Sequence, residues 1–380
     1  MSAGHPDAGV GSARPDWAEM LAAACRGEGI STLYQPIVDT ARGSVVGYEA
    51  LTRFSGYSER NPETWFRAAR THGMAEDLEV MALRTALRAR PTMPTNCFLT
   101  VNVSPDLLPR ESVRSVWRDE GDLGGLIVEL TEQAPIESYL ALEPDLDLLR
   151  SAGALIAVDD AGAGYAGLRH LLSLRPSLIK LDRAIVQDVD RDEAKRALVE
   201  MLGTFAGRVD AWLLAEGVER LEELDTLVAL GIPLVQGYCP PRPAPAWVGI
   251  DEDVAIRLAT RVVPGKTRVI RDFLEIVPTA TSVSDASAAF VSDAKLRAVV
   301  LLDEHSRPLA VLEADASHLG VVSPGLRVNL ETPVTDALGR AMTRDPSVRF
   351  EPLLATDNAG RFTGIVRLER LITALAAEGH

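Results

Sequence analysis

The chain reads as an α/β fold with the layout of a barrel active site, followed by a second, smaller α/β region. Seven apolar runs in the first two thirds each deliver a polar or charged residue at or near their C-terminal end. They are VVGYEAL with Glu49, FLTVN with Asn102, LIVEL with Glu129, ALIAVDD with Asp159 and Asp160, LIK with Lys180, WLLAE with Glu216, and LVQ with Gln236. Most gaps between them run about twenty to thirty-five residues, room for one strand and one helix per step. Between the runs lie stretches such as PETWFRAARTHGMAEDLEVMALRTALRAR and DEAKRALVEMLGTFAGRV, whose apolar positions recur at three and four residues. Alternating strand and helix is the pattern of an α/β fold.

In order along the chain, residues 1–15 are rich in Gly, Ala, Ser and Pro and read as a disordered tail. A short helix around Trp17 to Cys25 leads into the strand-like LYQPIV, so the fold proper starts near residue 16. The Pro-rich CPPRPAP, residues 239–245, ends the alternation near residue 250. DEDVAIRLATRVV then reads as a capped helix running to Pro264 and Gly265, a helical linker over 251–264. From 265 to 380 the texture changes, and two similar units follow. Each offers a short helix (SDASAAFVS, TDALGRAMT), a strand ending in a turn signal (AVVLLDEHSRP, EPLLATDNAG) and another strand (LAVLE, TGIVRL).

Composition narrows the function. The chain has 380 residues, 39 basic and 54 acidic side chains and a net charge of −15, which repels DNA and anionic membrane surfaces. A phosphate ligand must therefore meet locally placed cations. Cys25, Cys97 and Cys239 are isolated and lack close metal-type spacing, which fits a reducing compartment. No apolar run approaches the ~20 residues of a membrane span. The N-terminus carries Asp7, Asp16 and Glu19 in place of a basic segment and an apolar core, so the expectation is a soluble cytoplasmic protein.

Glu49, Asn102, Glu129, Asp159 and Asp160 all offer oxygen, the donor that hard divalent ions such as Mg²⁺, Mn²⁺ or Ca²⁺ prefer. Carboxylates sharing one mouth repel one another and demand cations. Adjacent Asp159 and Asp160 are placed to serve two ions. Two metals roughly 3.5 to 4 Å apart hold a phosphodiester, generate hydroxide and stabilise in-line displacement. Lys180 would sit near the water or phosphate. Any lone acid is most often a solvated surface charge, but a series of buried strands ending in acids and amides is hard to explain by packing.

YQPIVDTARGSVVGYEALTRF, LTVNVSP, VELTE, VDDAGAGYAGL, IKLD, LAEGVE and VQGYCPPRP occur in the order found in EAL-domain proteins, so residues 16–250 resemble that family. The resemblance implies a TIM-like (β/α)8 barrel that hydrolyses cyclic di-GMP to linear pGpG with two Mg²⁺ or Mn²⁺ ions. It assigns Glu49, Asn102, Glu129 and Asp159 to one metal and Asp159, Asp160 and Glu216 to the second, with Lys180 and Gln236 holding the attacking water. It places Gln35, Leu51 and Arg53 against substrate, and Glu132 and Glu219 in support, Glu132 anchoring the loop after Asp160. A homodimer is also implied.

Departures concentrate in that loop, where the commoner DDFGTGYSSL appears as DDAGAGYAGL, and at Arg70, which stands where the family has Glu. The latter is expected to affect helix packing more than chemistry. The rival to an enzyme is a catalytically silent cyclic di-GMP receptor or protein-interaction module. Residues 265–380 resemble a pair of CBS modules, which implies a regulatory or dimerisation role and an adenine nucleotide or partner protein as ligand. VRLERL, however, lacks the Thr or Ser followed by Asp that such modules use to hold ribose and phosphate.

Overall fold

The structure, a computed structural model, describes residues 16–378 apart from 57–58, 132–137, 162–170, 210, 238–241, 246, 262–267, 294, 315–324, 331, 345, 347 and 358–359. Glu132, Cys239 and most of the DDAGAGYAGL loop fall outside the described residues. Eight strands close a barrel in sequence order: β1 (Ile30–Asp39), β2 (Ser44–Phe54), β3 (Phe98–Val103), β4 (Leu126–Leu130), β5 (Leu155–Ala161), β6 (Leu178–Leu181), β7 (Trp212–Val218) and β8 (Leu234–Gly237). Neighbours from β2 to β8 are parallel, whereas β1 is antiparallel to both β2 and β8. The connection explains the reversal. Only residues 40–43 separate β1 from β2, enough for a hairpin and far too few for a helical crossover.

Side-chain alternation then sets what faces inward. Ile37, Phe98, Ile127, Ala157, Leu178, Leu214 and Leu234 form one apolar layer inside the barrel. Gly47 makes room for it, because a Cβ there would lie 2.4 Å from the Phe98 ring. Two residues further along a strand, a side chain points the same way again. Glu129, Asp159, Lys180, Glu216 and Gln236 each follow a layer residue by two positions, so they stand directly above the apolar floor. Asn102 lies four past Phe98, with buried Thr100 between them. On the reversed β1, Gln35 precedes Ile37 by two and comes to the same level.

The helices cover the outer face, where the largest apolar cluster lies between them and the strands. Asp16 caps helix Trp17–Cys25 by accepting from the backbone N–H of Ala18 and Glu19. The long helical stretch expected from Pro62 to Arg90 is two helices, Pro62–Thr71 and Ala75–Leu87. Gly73 between them has φ +70°, a left-handed turn that glycine adopts without steric cost. Trp65 of the first stacks on Phe54 of β2 at 4.1 Å between ring centroids. Helix Glu252–Arg261 buries Val254 and Leu258 in the outer core and pairs Arg257 with Asp225 at 2.9 Å, so it is packed onto the barrel and is no free spacer. No described helix is long and apolar enough to cross a membrane.

Beyond the barrel, two units repeat one element order. The first runs β9 (Thr279–Ala280), helix Val283–Ser292, β10 (Ala298–Leu302) and β11 (Pro308–Glu313). The second runs β12 (Arg327–Asn329), helix Val334–Met342, β13 (Leu353–Thr356) and β14 (Phe362–Val366), then helix Leu368–Glu378. Each sheet pairs its first two strands in parallel and its last two antiparallel. The hairpin turns match in detail: Asp303 Oδ1 accepts from the Arg307 N–H, and Asp357 Oδ1 from the Arg361 N–H, both at 2.8 Å. The first of these turns rests on the barrel floor, where Arg307 donates to the Gly153 carbonyl and His305 lies 3.2 Å from Asp122.

Candidate active site

Strands β2 to β8 each send one polar side chain to the barrel mouth, and the centre of the cluster is Lys180. Its Nζ lies 2.7 Å from Glu129 Oε2, 2.6 Å from Glu216 Oε1, 3.3 Å from Glu49 Oε1 and 3.4 Å from Asp159 Oδ1. Gln236 Nε2 donates to Glu49 Oε2 at 2.6 Å and Asn102 Nδ2 to Glu49 Oε1 at 3.1 Å. Glu129 is fully buried, and Lys180 and Gln236 nearly so. Seven residues picked out along 188 positions of sequence, from Glu49 to Gln236, thus meet in one place. Asp160 follows Asp159 on β5, and its side chain is outside the described residues.

The electrostatics are unbalanced. Burial works against the Lys180 ammonium, but the pull of Asp159, Glu129, Glu216 and Glu49 outweighs it and holds the ammonium well above the ordinary lysine value. Burial pushes the Glu129 carboxyl up to about 8, with Lys180 opposing and Glu49 and Asp159 reinforcing the rise. Burial likewise holds Glu216 well above the ordinary carboxyl value. One ammonium cannot neutralise four carboxylates, so the site favours extra protons or extra cations. Glu129 Oε1 and Gln236 Oε1 are buried and accept no hydrogen bond among the described residues. Buried acceptors without donors are costly, and a hard cation is the partner that such an all-oxygen set suits. The residues present therefore fit a divalent ion.

A cavity of about 570 Å³ opens beside the cluster, lined by Glu49, Asn102 and Asp159 on one side and by Arg53, Arg67 and Arg70 on another. Leu51 also lines it. Arg53 donates to the Thr52 carbonyl at 2.8 Å, and Arg70 grips Asp106 through both terminal nitrogens at 2.6 and 3.0 Å. Gln35 stands beside Glu49 in the β1–β2 register and donates to the Gly237 carbonyl at 3.0 Å, while Glu219 is exposed and pairs with Arg183 at 2.8 Å. Two cavity features escaped the sequence reading. Arg70 faces the cavity in addition to packing its helix, and buried Glu79 lines the same wall, accepting from the Ser104 N–H at 2.6 Å.

A closed barrel whose mouth gathers carboxylates and amides over an apolar floor, beside a cavity large enough for a small-molecule ligand, defines a class, the α/β barrels with an oxygen-lined site at the strand ends. Residues 18–243 match the family model described as EAL domain, and the chain belongs to that family. It is 29% identical over 238 residues to the cyclic di-GMP phosphodiesterase NbdA of Pseudomonas aeruginosa, covering 60% of this chain and 30% of NbdA. Among solved structures, the PaMucR phosphodiesterase in complex with c-di-GMP superposes with a TM-score of 0.55 at 27% identity, over 61% of this chain and 98% of that one. Klebsiella pneumoniae BlrP1, as a manganese and cy-diGMP complex, superposes with a TM-score of 0.53 at 29% identity, over 59% of this chain and 58% of that one.

Proposed function

We propose that the barrel hydrolyses cyclic di-GMP to linear pGpG with divalent metal. The observation that carries this reading is the convergence of Glu49, Asn102, Glu129, Asp159, Glu216 and Gln236 on Lys180, with buried oxygens left over, in a chain of the EAL family. Solved relatives named as c-di-GMP and manganese complexes support both the substrate and the metal.

Glu49, Asn102, Glu129 and Asp159 would hold one Mg²⁺ or Mn²⁺ ion, and Asp159, Asp160 and Glu216 a second. Such ions supply a hydroxide at neutral pH and stabilise charge on the phosphoryl oxygens. Lys180 and Gln236 would orient a water molecule at the cluster, Lys180 by donation from Nζ. Arg53 and Arg67 on the cavity wall would offer guanidinium groups to the anionic backbone of the substrate, the local cations that a chain of −15 requires, with Arg70 held beside them on Asp106. The repeated strand, helix, strand, strand order of the C-terminal region supports a paired regulatory module there, with the CBS-like arrangement as its reading.

The test is direct. Purified protein incubated with cyclic di-GMP and Mn²⁺ or Mg²⁺ is expected to yield pGpG on chromatography, and EDTA is expected to stop it. Tight binding of cyclic di-GMP with no product under either ion would replace the enzyme by a receptor.

A further inference from the structure

The segment that follows β3 is held from two sides. Asn102 stands near the end of that strand, where its Nδ2 donates to Glu49 Oε1 at 3.1 Å and leaves the amide oxygen as the atom a cation would meet. The strand ends at Val103, whose carbonyl accepts from the Thr131 N–H at 3.2 Å. The next N–H, that of Ser104, goes to a side chain instead. Glu79, reaching in from helix Ala75–Leu87, accepts it at 2.6 Å and accepts from the Ser104 hydroxyl at 3.3 Å. Two residues on, Arg70 from helix Pro62–Thr71 grips Asp106 end-on at 2.6 and 3.0 Å. The Ser104 carbonyl accepts from the N–H groups of Leu107 and Leu108 at 3.0 and 3.2 Å, which closes the turn between them.

The two halves of this clamp lie at different depths. Glu79 and Ser104 are 4% and 5% exposed, whereas the Arg70 and Asp106 side chains keep 31% and 41% of their surface. A single exposed ion pair contributes little, but an end-on guanidinium–carboxylate pair fixes geometry as well as energy. Both partners register it: hydrogen bonding to Asp106 holds the Arg70 guanidinium above its ordinary value, and Arg70 holds the Asp106 carboxyl below its own. Fastening the two helices to the barrel needs no charged pair here, because Trp65, Ala69, Leu78, Ala82 and Leu83 already bury their apolar faces. Arg70 is also the position at which the chain departs from the family's Glu. An acid there would set a like charge against Asp106 and loosen the turn.

We infer, on the reading of the barrel mouth as a metal site, that Arg70 and Glu79 are positioning residues. Their hold on Asp106 and Ser104 sets where β3 presents the Asn102 amide to an ion. Partners of metal-binding groups typically change metal affinity or activity by about 10–100-fold when removed. Arg70 acts through a turn of backbone, so the lower end of that range applies.

Mn²⁺ should be titrated calorimetrically into the full-length protein without nucleotide, alongside kcat and KM for cyclic di-GMP and a thermal melt. Arg70→Glu is expected to weaken Mn²⁺ binding and to lower kcat by about tenfold each, with KM little changed. The charge swap Arg70→Glu/Asp106→Arg restores an ion pair and should recover most of both losses. Both side chains are partly exposed, so the fold tolerates either variant. A raised KM with unchanged Mn²⁺ affinity would make Arg70 a direct substrate contact and overturn the positioning role. So would a lowered melting temperature with Mn²⁺ affinity and kcat intact, the mark of a residue that only fastens its helix. Failure of the swap to recover either loss would overturn the pair as the cause. A parent that takes up no Mn²⁺ would remove the metal reading and the clamp's role together, whereas a parent that binds it and variants that match the parent would overturn the clamp's role alone.

Discussion

Two knots of carboxylates in the same barrel each gather around a central cation, Lys180 alone in one and Arg220 with Arg191 at its edge in the other, and they behave in opposite ways. Around Lys180, Glu49, Glu129, Asp159 and Glu216 crowd a buried point charge, and burial holds Glu129 and Glu216 above the ordinary carboxyl range. Around Arg220, Asp188, Asp190 and Glu223 have oxygens within 4.8 Å of one another, a spacing that by itself would pass for an ion site. There the guanidinium divides its donors, Nε to Glu223 at 3.2 Å and Nη2 to Asp188 at 3.3 Å. Glu223 also accepts from the backbone N–H of Asp188, Glu219 and Arg220 at 2.9 to 3.1 Å. Burial would raise Glu223, but those donors win and hold it below its ordinary value, and the Arg220 hydrogen bond holds Asp190 low as well. Closeness of acids thus separates nothing. Leftover acceptors and raised carboxyls mark the knot that still calls for a cation; satisfied oxygens mark the one that staples the chain.

The contrast is open to breakage at three strengths. Glu49→Ala or Asp159→Asn should cut turnover of cyclic di-GMP by more than about a hundredfold, beyond the 10–100-fold typical for residues that only support a metal ligand. Steady-state rates under saturating Mn²⁺ check this, and near-normal rates in both variants would remove the Lys180 knot from the chemistry. Arg220→Ala should lower the melting temperature by several degrees while leaving Mn²⁺ affinity and the rate per folded molecule unchanged, because it strands acids that share no hydrogen bond with the Lys180 cluster among the described residues. Calorimetry of metal binding beside a thermal melt separates the two effects.

The smallest effect concerns Glu79, a buried acid outside both knots. Burial raises its carboxyl from 4.5 to about 7 against the Ser104 hydrogen bonds. The native state therefore binds this proton more tightly than the unfolded chain does, and the associated stability is complete below about 4.5 and lost as pH rises through about 7. Denaturant midpoints measured across that window should fall less in Glu79→Gln than in the parent. Parallel slopes would show that Glu79 is ionised throughout.

The Lys180 knot was legible in the sequence because its signal is local: each member lies at or near the end of a short apolar run, and for Glu129, Asp159, Lys180, Glu216 and Gln236 alternation by two sets it above an inward-facing Leu, Ile or Ala. What stayed hidden is what depends on distant partners. Arg70 reads as a helix residue until Asp106, 36 positions on, turns its guanidinium along the cavity wall. Arg307 reads as a turn residue until Gly153, 154 positions away, accepts its proton. The reversed β1 was within reach, since the short DTARGS segment between two strand-like runs permits a hairpin and no crossover.

The floor laid by Phe98, Ile127, Leu178, Leu214 and Leu234 makes the barrel a blind well. Reactant and product share one doorway, so each departure has to clear the path for the next arrival. β5 spans both levels of this well: it starts two residues past Gly153, where the C-terminal units touch the barrel, and carries Asp159 and Asp160 near its other end.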